Sequence, residues 1–201
     1  MPKPLTLAAA RNSARSCKAC DLYKRATQTV FGEGTRTAEL MLIGEQPGDQ
    51  EDRTGHPFVG PAGQLLDRAL VEAGLDRTAV YVTNVVKHFK WEPRGKRRIH
   101  KKPGAGEIAA CRPWLDIEVR LVRPRAIVCL GATAAQALLG RAFKVTAHRG
   151  EPVPSPLAPI VMATVHPSSI LRAPDEESRH VELARFVEDL RAVRRALSRA
   201  E

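Results

Sequence analysis

"AELMLIGEQPG", residues 38 to 48, runs four apolar residues, Leu40 to Ile43, straight into a turn punctuated by Gly44, Pro47 and Gly48. A short apolar run bounded by Gly and Pro reads as a strand buried on both faces. Such strands belong to parallel sheets that carry helices on each side. The stretch also leaves a carboxylate, Glu45, just past the strand's carboxyl end, where ligands bind in open parallel sheets.

The rest of the chain repeats the pattern. "PAGQLLDRALVEAGL" (61–75) spaces Leu65, Leu66, Ala69, Leu70 and Ala73 as a helix. "AVYVTNVV" (79–86) is a second strand, "RAIVCLG" (125–131) a third with the helix "TAAQALL" behind it, and "PIVMATVHP" (159–167) a fourth. "AGEIAACRPWLDIEVRLV" (105–122) keeps helical spacing despite Pro113, which marks a kink or an early turn. A last helix starts at about Pro174, with Asp175, Glu176 and Glu177 in its first turn and arginines at its end, as the helix dipole prefers. Leu183, Phe186, Val187, Leu190, Val193 and Leu197 form its buried stripe. The predicted architecture is α/β: a three-layer α/β/α sandwich around a central four-stranded parallel sheet, with residues 1–201 in one domain. From His88 to Gly106 the chain is rich in basic residues, Pro and Gly and reads as a long loop, with a basic insertion at about 88–104.

A composition of 43% hydrophobic and 27% charged residues suits a globular chain and excludes a disordered one. The net charge of +10 favours a polyanionic partner, most often nucleic acid. The longest uncharged stretch, Ala126 to Gly140, is 15 residues, short of the ~20 apolar residues of a membrane span. The N-terminus makes a poor signal peptide, so a cytoplasmic monomer with reduced cysteines and no membrane partner is expected. Cys17 and Cys20 form a CxxC, and Cys111 and Cys129 follow with 17 residues between them. Zinc, an iron–sulfur cluster and unrelated buried thiols all remain open on spacing. One tight knuckle instead of two suits a [4Fe–4S] cluster better than a zinc ribbon.

Three polar groups fall at equivalent strand ends: Glu45, Asn84 and His166. The segment "GEQPGDQEDRTGHPFVGPAGQLLDRAL", with "TNVVK", "HPSS" and the four cysteines, resembles the iron–sulfur family-4 uracil-DNA glycosylases from Cys17 to about Arg172. Two features depart from that family's usual pattern: Gln46 stands where a small residue is usual, and "KRRIHKK" (96–102) is inserted. Both look like the UdgX-type subgroup, whose members end the reaction covalently bound to abasic DNA through the loop histidine.

The resemblance implies a partner, uracil-containing DNA, single- or double-stranded, and a role for each site residue. A glycosylase must unstack its base and read it in a pocket. The Asn84 amide matches the N3–H and O4 edge of uracil and mismatches cytosine. Phe58 stacks on the ring, Glu51 crowds the thymine methyl, and Gly44 and Ser168 complete the substrate-binding set. His166 donates to uracil O2 as charge builds there. Glu45 stabilises the oxocarbenium-like sugar, with Asp52 a second carboxylate and Gln46 a hydrogen-bonding aid. His100 captures the sugar cation, because surrounding cations disfavour imidazolium and leave it a neutral nucleophile. The same cations, Arg98 among them, hold flanking phosphates. The "SSILR" stretch enters the minor groove with Ile170 or Leu171 as wedge. Two other readings stay open: a hydrolytic, multiple-turnover glycosylase, and an iron–sulfur DNA-binding module without catalysis.

Overall fold

The computed structural model describes residues 6–199. Four parallel strands, β1 (Leu40–Gly44), β2 (Val80–Asn84), β5 (Ala126–Leu130) and β6 (Ile160–Thr164), form a sheet in the order β2-β1-β5-β6. Nearly every strand residue is buried, as the unbroken apolar runs predict. Alternation divides them between two cores. Met41, Ile43, Tyr81, Ile127, Cys129, Val161 and Ala163 face one core. Helices α1 (Leu7–Ala14), α4 (Ala105–Val122) and α5 (Ala132–Leu139) supply its other side. Leu40, Leu42, Val80, Val82, Val128 and Met162 face the opposite core, closed by α3 (Pro61–Ala73), α7 (Pro167–Leu171) and α8 (Glu176–Arg199). The predicted three layers are present. Pro113 lies inside α4, and α8 begins two residues after Pro174, where Asp175 accepts from the Ser178 N–H at 2.7 Å.

The short helices α2 (Asp49–Thr54) and α6 (Val145–His148) sit in connections. The predicted long loop after His88 differs from expectation. It contains an antiparallel hairpin of β3 (Trp91–Arg94) and β4 (Arg97–His100), closed by Gly95 and Lys96, with Gly95 at φ 60°. Gly at positive φ in a two-residue turn is the usual hairpin chemistry. The strands escaped the sequence reading because they are charged and lack apolar alternation. The register pairs Trp91 with His100 and Pro93 with Arg98. Arg98 and His100 therefore share one face, and Arg97 and Ile99 the other. The first face is turned to the body of the protein; Ile99, on the second, is 41% exposed.

Candidate active site

The parallel register sets Gly44 beside Asn84 at the carboxyl end of the sheet. Gly44 is needed there: a Cβ would collide with Asn84 Oδ1 and come within 2.8 Å of Phe58 Cζ. Phe58 is thus held over the strand end, in a left-handed conformation at φ 58°. Its ring faces that of His166, with centroids 6.2 Å apart and planes 26° from parallel. Asn84 is 3% exposed, and among the described residues its side-chain amide has no hydrogen-bond partner. Its amide atoms are not among the fully buried unpaired ones, so they reach open space at the strand end. His166 caps α7. Its Nδ1 accepts from the Ser168 N–H at 3.1 Å and lies 2.8 Å from the Ser168 hydroxyl. An Nδ1 that accepts leaves the ring proton on Nε2, which is then a donor. Burial, opposed by Glu45 and reinforced by Arg172 and His100, lowers the His166 pKa to about 4, so the ring is neutral at pH 7.

Residues 31–191 match the uracil DNA glycosylase superfamily. A type-4 uracil-DNA glycosylase of Thermotoga maritima is 39% identical over 170 residues, 84% of this chain and 85% of that protein. One from Pyrobaculum aerophilum is 37% identical over 167 residues, 80% and 82% of the two chains. A type-5 enzyme of Thermus thermophilus is 32% identical over 158 residues, covering 69% and 68%. The chain belongs to the uracil-DNA glycosylase superfamily.

On this superfamily scaffold the hairpin meets the sheet at Glu45. His100 Nε2 is 3.2 Å from Glu45 Oε1, and the Thr133 hydroxyl donates to Glu45 Oε2. Burial raises the Glu45 pKa, but hydrogen bonds from His100 and Thr133 outweigh it and leave the carboxyl below its ordinary value. The group is therefore ionised at neutral pH. Thr133, at the start of α5, was missed from sequence. Its signal was its place just past the end of the third strand. The nearest charge to His100 is this carboxylate. The cations of 96–102 are more dispersed: Lys101 pairs with Glu92 at 2.7 Å, and Arg98 is bound to Asp49 and Asp52.

Several expected roles change once partners are visible. Gln46 donates through Nε2 to the carbonyls of Lys90 and Lys101, both at 3.1 Å, so it ties the base of the hairpin and does not face the pocket. Asp52 is fully buried and accepts from the Thr27 N–H at 2.9 Å, the Thr27 hydroxyl at 2.6 Å and Arg98 Nη1 at 2.6 Å. It anchors Arg98 and leaves no oxygen facing a sugar. Arg98, stacked over Phe89 and Trp91, points inward and does not present its guanidinium to phosphate. Glu51 accepts from the N–H groups of Gly48 and Gly60, at 3.0 and 2.8 Å, and so braces the two loops flanking α2 instead of crowding a base. Ser168 sits behind His166. Ile170 is 1% exposed within the core and cannot wedge; Leu171 is partly buried.

The four cysteines carry no disulfide and pack on one core. Cys17 and Cys20 are near enough to Cys111 to raise its pKa, which burial chiefly pushes to about 11. Cys129 lies on β5, where burial alone raises its pKa to about 12. The Trp114 indole N–H points at Cys17 Sγ and the Lys87 N–H at Cys111 Sγ, both at 3.2 Å. Soft donors that receive N–H hydrogen bonds fit an iron–sulfur cluster in chemistry. In distance, no group of three or more His, Cys, Asp or Glu among the described residues is gathered to hold a metal ion. No helix among them is long and apolar enough to cross a membrane.

Proposed function

We propose that this chain is a uracil-DNA glycosylase that excises uracil from DNA and then becomes joined, through His100 Nε2, to C1′ of the abasic sugar. The supporting observation is the approach of His100 Nε2 to 3.2 Å from Glu45 Oε1. The imidazole reaches the carboxylate that would face the sugar cation. The relatives named type-4 uracil-DNA glycosylases support the first half of the reading.

In this reading uracil enters beneath Phe58, and the free Asn84 amide accepts from N3–H and donates to O4. The C1′–N1 bond breaks, and its electron pair leaves on the uracil ring. The neutral His166 donates from Nε2 to O2, where that charge collects. The ionised Glu45 balances the sugar cation. His100 donates from Nε2 to Glu45 before the sugar cation forms; its proton then moves to Nδ1 through solvent, and the freed Nε2 lone pair is offered to C1′. The resulting imidazolium gives its Nδ1 proton to solvent, and the uracil anion takes one from water. Cys17, Cys20, Cys111 and Cys129 would hold a [4Fe–4S] cluster, which when bound ties the N-terminal segment to α4 and β5. Its chemistry is structural, and the thiol protons must leave on binding.

The test is a denaturing gel of the protein mixed with a uracil-containing oligonucleotide, with peptide mapping of any slow-moving species. A protein–DNA band whose modified peptide contains His100 is expected. Free uracil with no band would leave the hydrolytic glycosylase in its place. Tight binding without uracil release would leave the non-catalytic module.

A further inference from the structure

An ion pair that takes no part in this chemistry lies directly behind Asn84. The Lys87 and Glu118 side chains are 1% and 0% exposed. Lys87 Nζ donates to Glu118 Oε2, to the Thr83 hydroxyl at 2.6 Å and to the Asn84 carbonyl at 2.7 Å, which uses all three ammonium protons. Glu118, near the C-terminal end of α4, also accepts from the Gly32 N–H at 2.8 Å and the Tyr81 hydroxyl at 3.1 Å. Burial and the nearby carboxylate keep the Tyr81 phenol above its usual pKa, so it stays a donor. Gly32 permits the approach: a Cβ there would come within 2.6 Å of the Tyr81 ring and 2.8 Å of Thr83 Cβ.

A buried ion pair is weak support for stability, since apolar side chains of similar volume are often as good or better. Its distinctive property is direction. The hydrogen bond to the Asn84 carbonyl fixes the peptide plane that follows Asn84, at the point where the β1–β2 ladder ends. Apolar packing would fill the space without holding that plane.

We infer that Lys87 and Glu118 are a positioning pair that aims the Asn84 amide at the edge of the base. The inference rests on the reading of Asn84 as the uracil-recognising group. The pair touches neither DNA nor the reacting atoms, so it acts on the rate of the bound complex and not on DNA affinity.

The test compares the parent with Lys87→Met/Glu118→Leu, which removes both charges together and avoids a lone buried one. The folded double variant should keep the parent's half-saturation for uracil-containing DNA. Its saturated rate of uracil release should fall about 10- to 100-fold, the scale of small misplacements at a reacting site. Asn84→Ala should then do less harm in the double variant than in the parent, by about 3-fold or more, because the two changes remove one function. A folded double variant with the parent's saturated rate overturns the inference. So does an Asn84→Ala loss that is equal in both backgrounds. Should the double variant not fold, Tyr81→Phe removes a single hydrogen bond to Glu118 and carries the same cycle on a smaller scale. A parent that releases no uracil at all would remove the base-reading role of Asn84, and this inference with it.

Discussion

Asn84 ends a strand whose every residue is buried, whereas His100 ends a four-residue strand whose side chains are mostly exposed. Behind Asn84 stand two core layers and a buried ion pair. Behind His100 stand a two-stranded ribbon, the Gln46 amide and the Arg98 clamp onto Asp49 and Asp52. Reading a base demands fixed donors and acceptors, which the sheet supplies. Capturing a cation demands only reach, and an appendage tied at a few points supplies that. In the proposed mechanism the two tasks are therefore separable by mutation.

The sharpest break should come at His100. His100→Ala is expected to abolish the denaturation-resistant protein–DNA band while uracil release continues, with water taking the sugar cation. An adduct that survives in this variant would end the capture mechanism.

His166→Ala should slow uracil release by about 10²–10³-fold, the usual loss when one donor to a developing anion is removed. The same residue gives a pH signature. Its pKa falls to about 4 in the fold, against ~6.5 for a free side chain. The unfolded chain thus takes up the proton first, and its contribution to stability is lost as pH drops from ~6.5 towards 4. Melting curves of His166→Gln should show a shallower loss over that window; an unchanged slope would contradict the low value.

Asn84→Ala should cost roughly 1–3 kcal/mol of base discrimination, the range of a bidentate hydrogen-bonded pair with a base. Measured excision of uracil against cytosine gives the value, and unchanged selectivity would take Asn84 out of the pocket. The smallest effect should come from the outer face of the hairpin. Among the described residues Lys96 and Arg97 are exposed and carry no ion pair. Changing both to Gln should flatten the log–log salt dependence of binding by about 0.7 to 0.9 for each phosphate no longer neutralised. A slope that does not move would mean that these cations face only water.

The sheet was legible because its strands are buried on both faces, so each appears as an unbroken apolar run. The strand-end trio of Glu45, Asn84 and His166 followed from those runs. The hairpin was not legible, since charge hid its alternation and only Gly95 marked the turn. Asp52, Glu51 and Gln46 were placed in the right neighbourhood with the wrong partners. A carboxylate or amide beside a glycine-rich loop can serve a ligand or the loop's own N–H groups. Only distant residues such as Thr27, Gly60 and Lys101 show which. Thr133 lies far from Glu45 in sequence and could be joined to it only by folding.

The Gln46 amide has a consequence for the alignment of the ribbon it holds. Charged strands with no apolar face specify their pairing weakly, and a slip by one residue moves every side chain to the opposite face. In this hairpin such a slip would swing Ile99 towards Glu45 and His100 into solvent. Gln46 bonds the carbonyls of Lys90 and Lys101 together, one from each arm, just outside the first paired residues. Lys90 also donates its N–H to Gln46 Oε1 at 3.3 Å, and the Lys101 N–H reaches the Lys90 carbonyl at 2.9 Å. One glutamine thus works as a registration pin: it selects which of two mirror-faced hairpins forms, and with it whether the imidazole or the isoleucine looks inward.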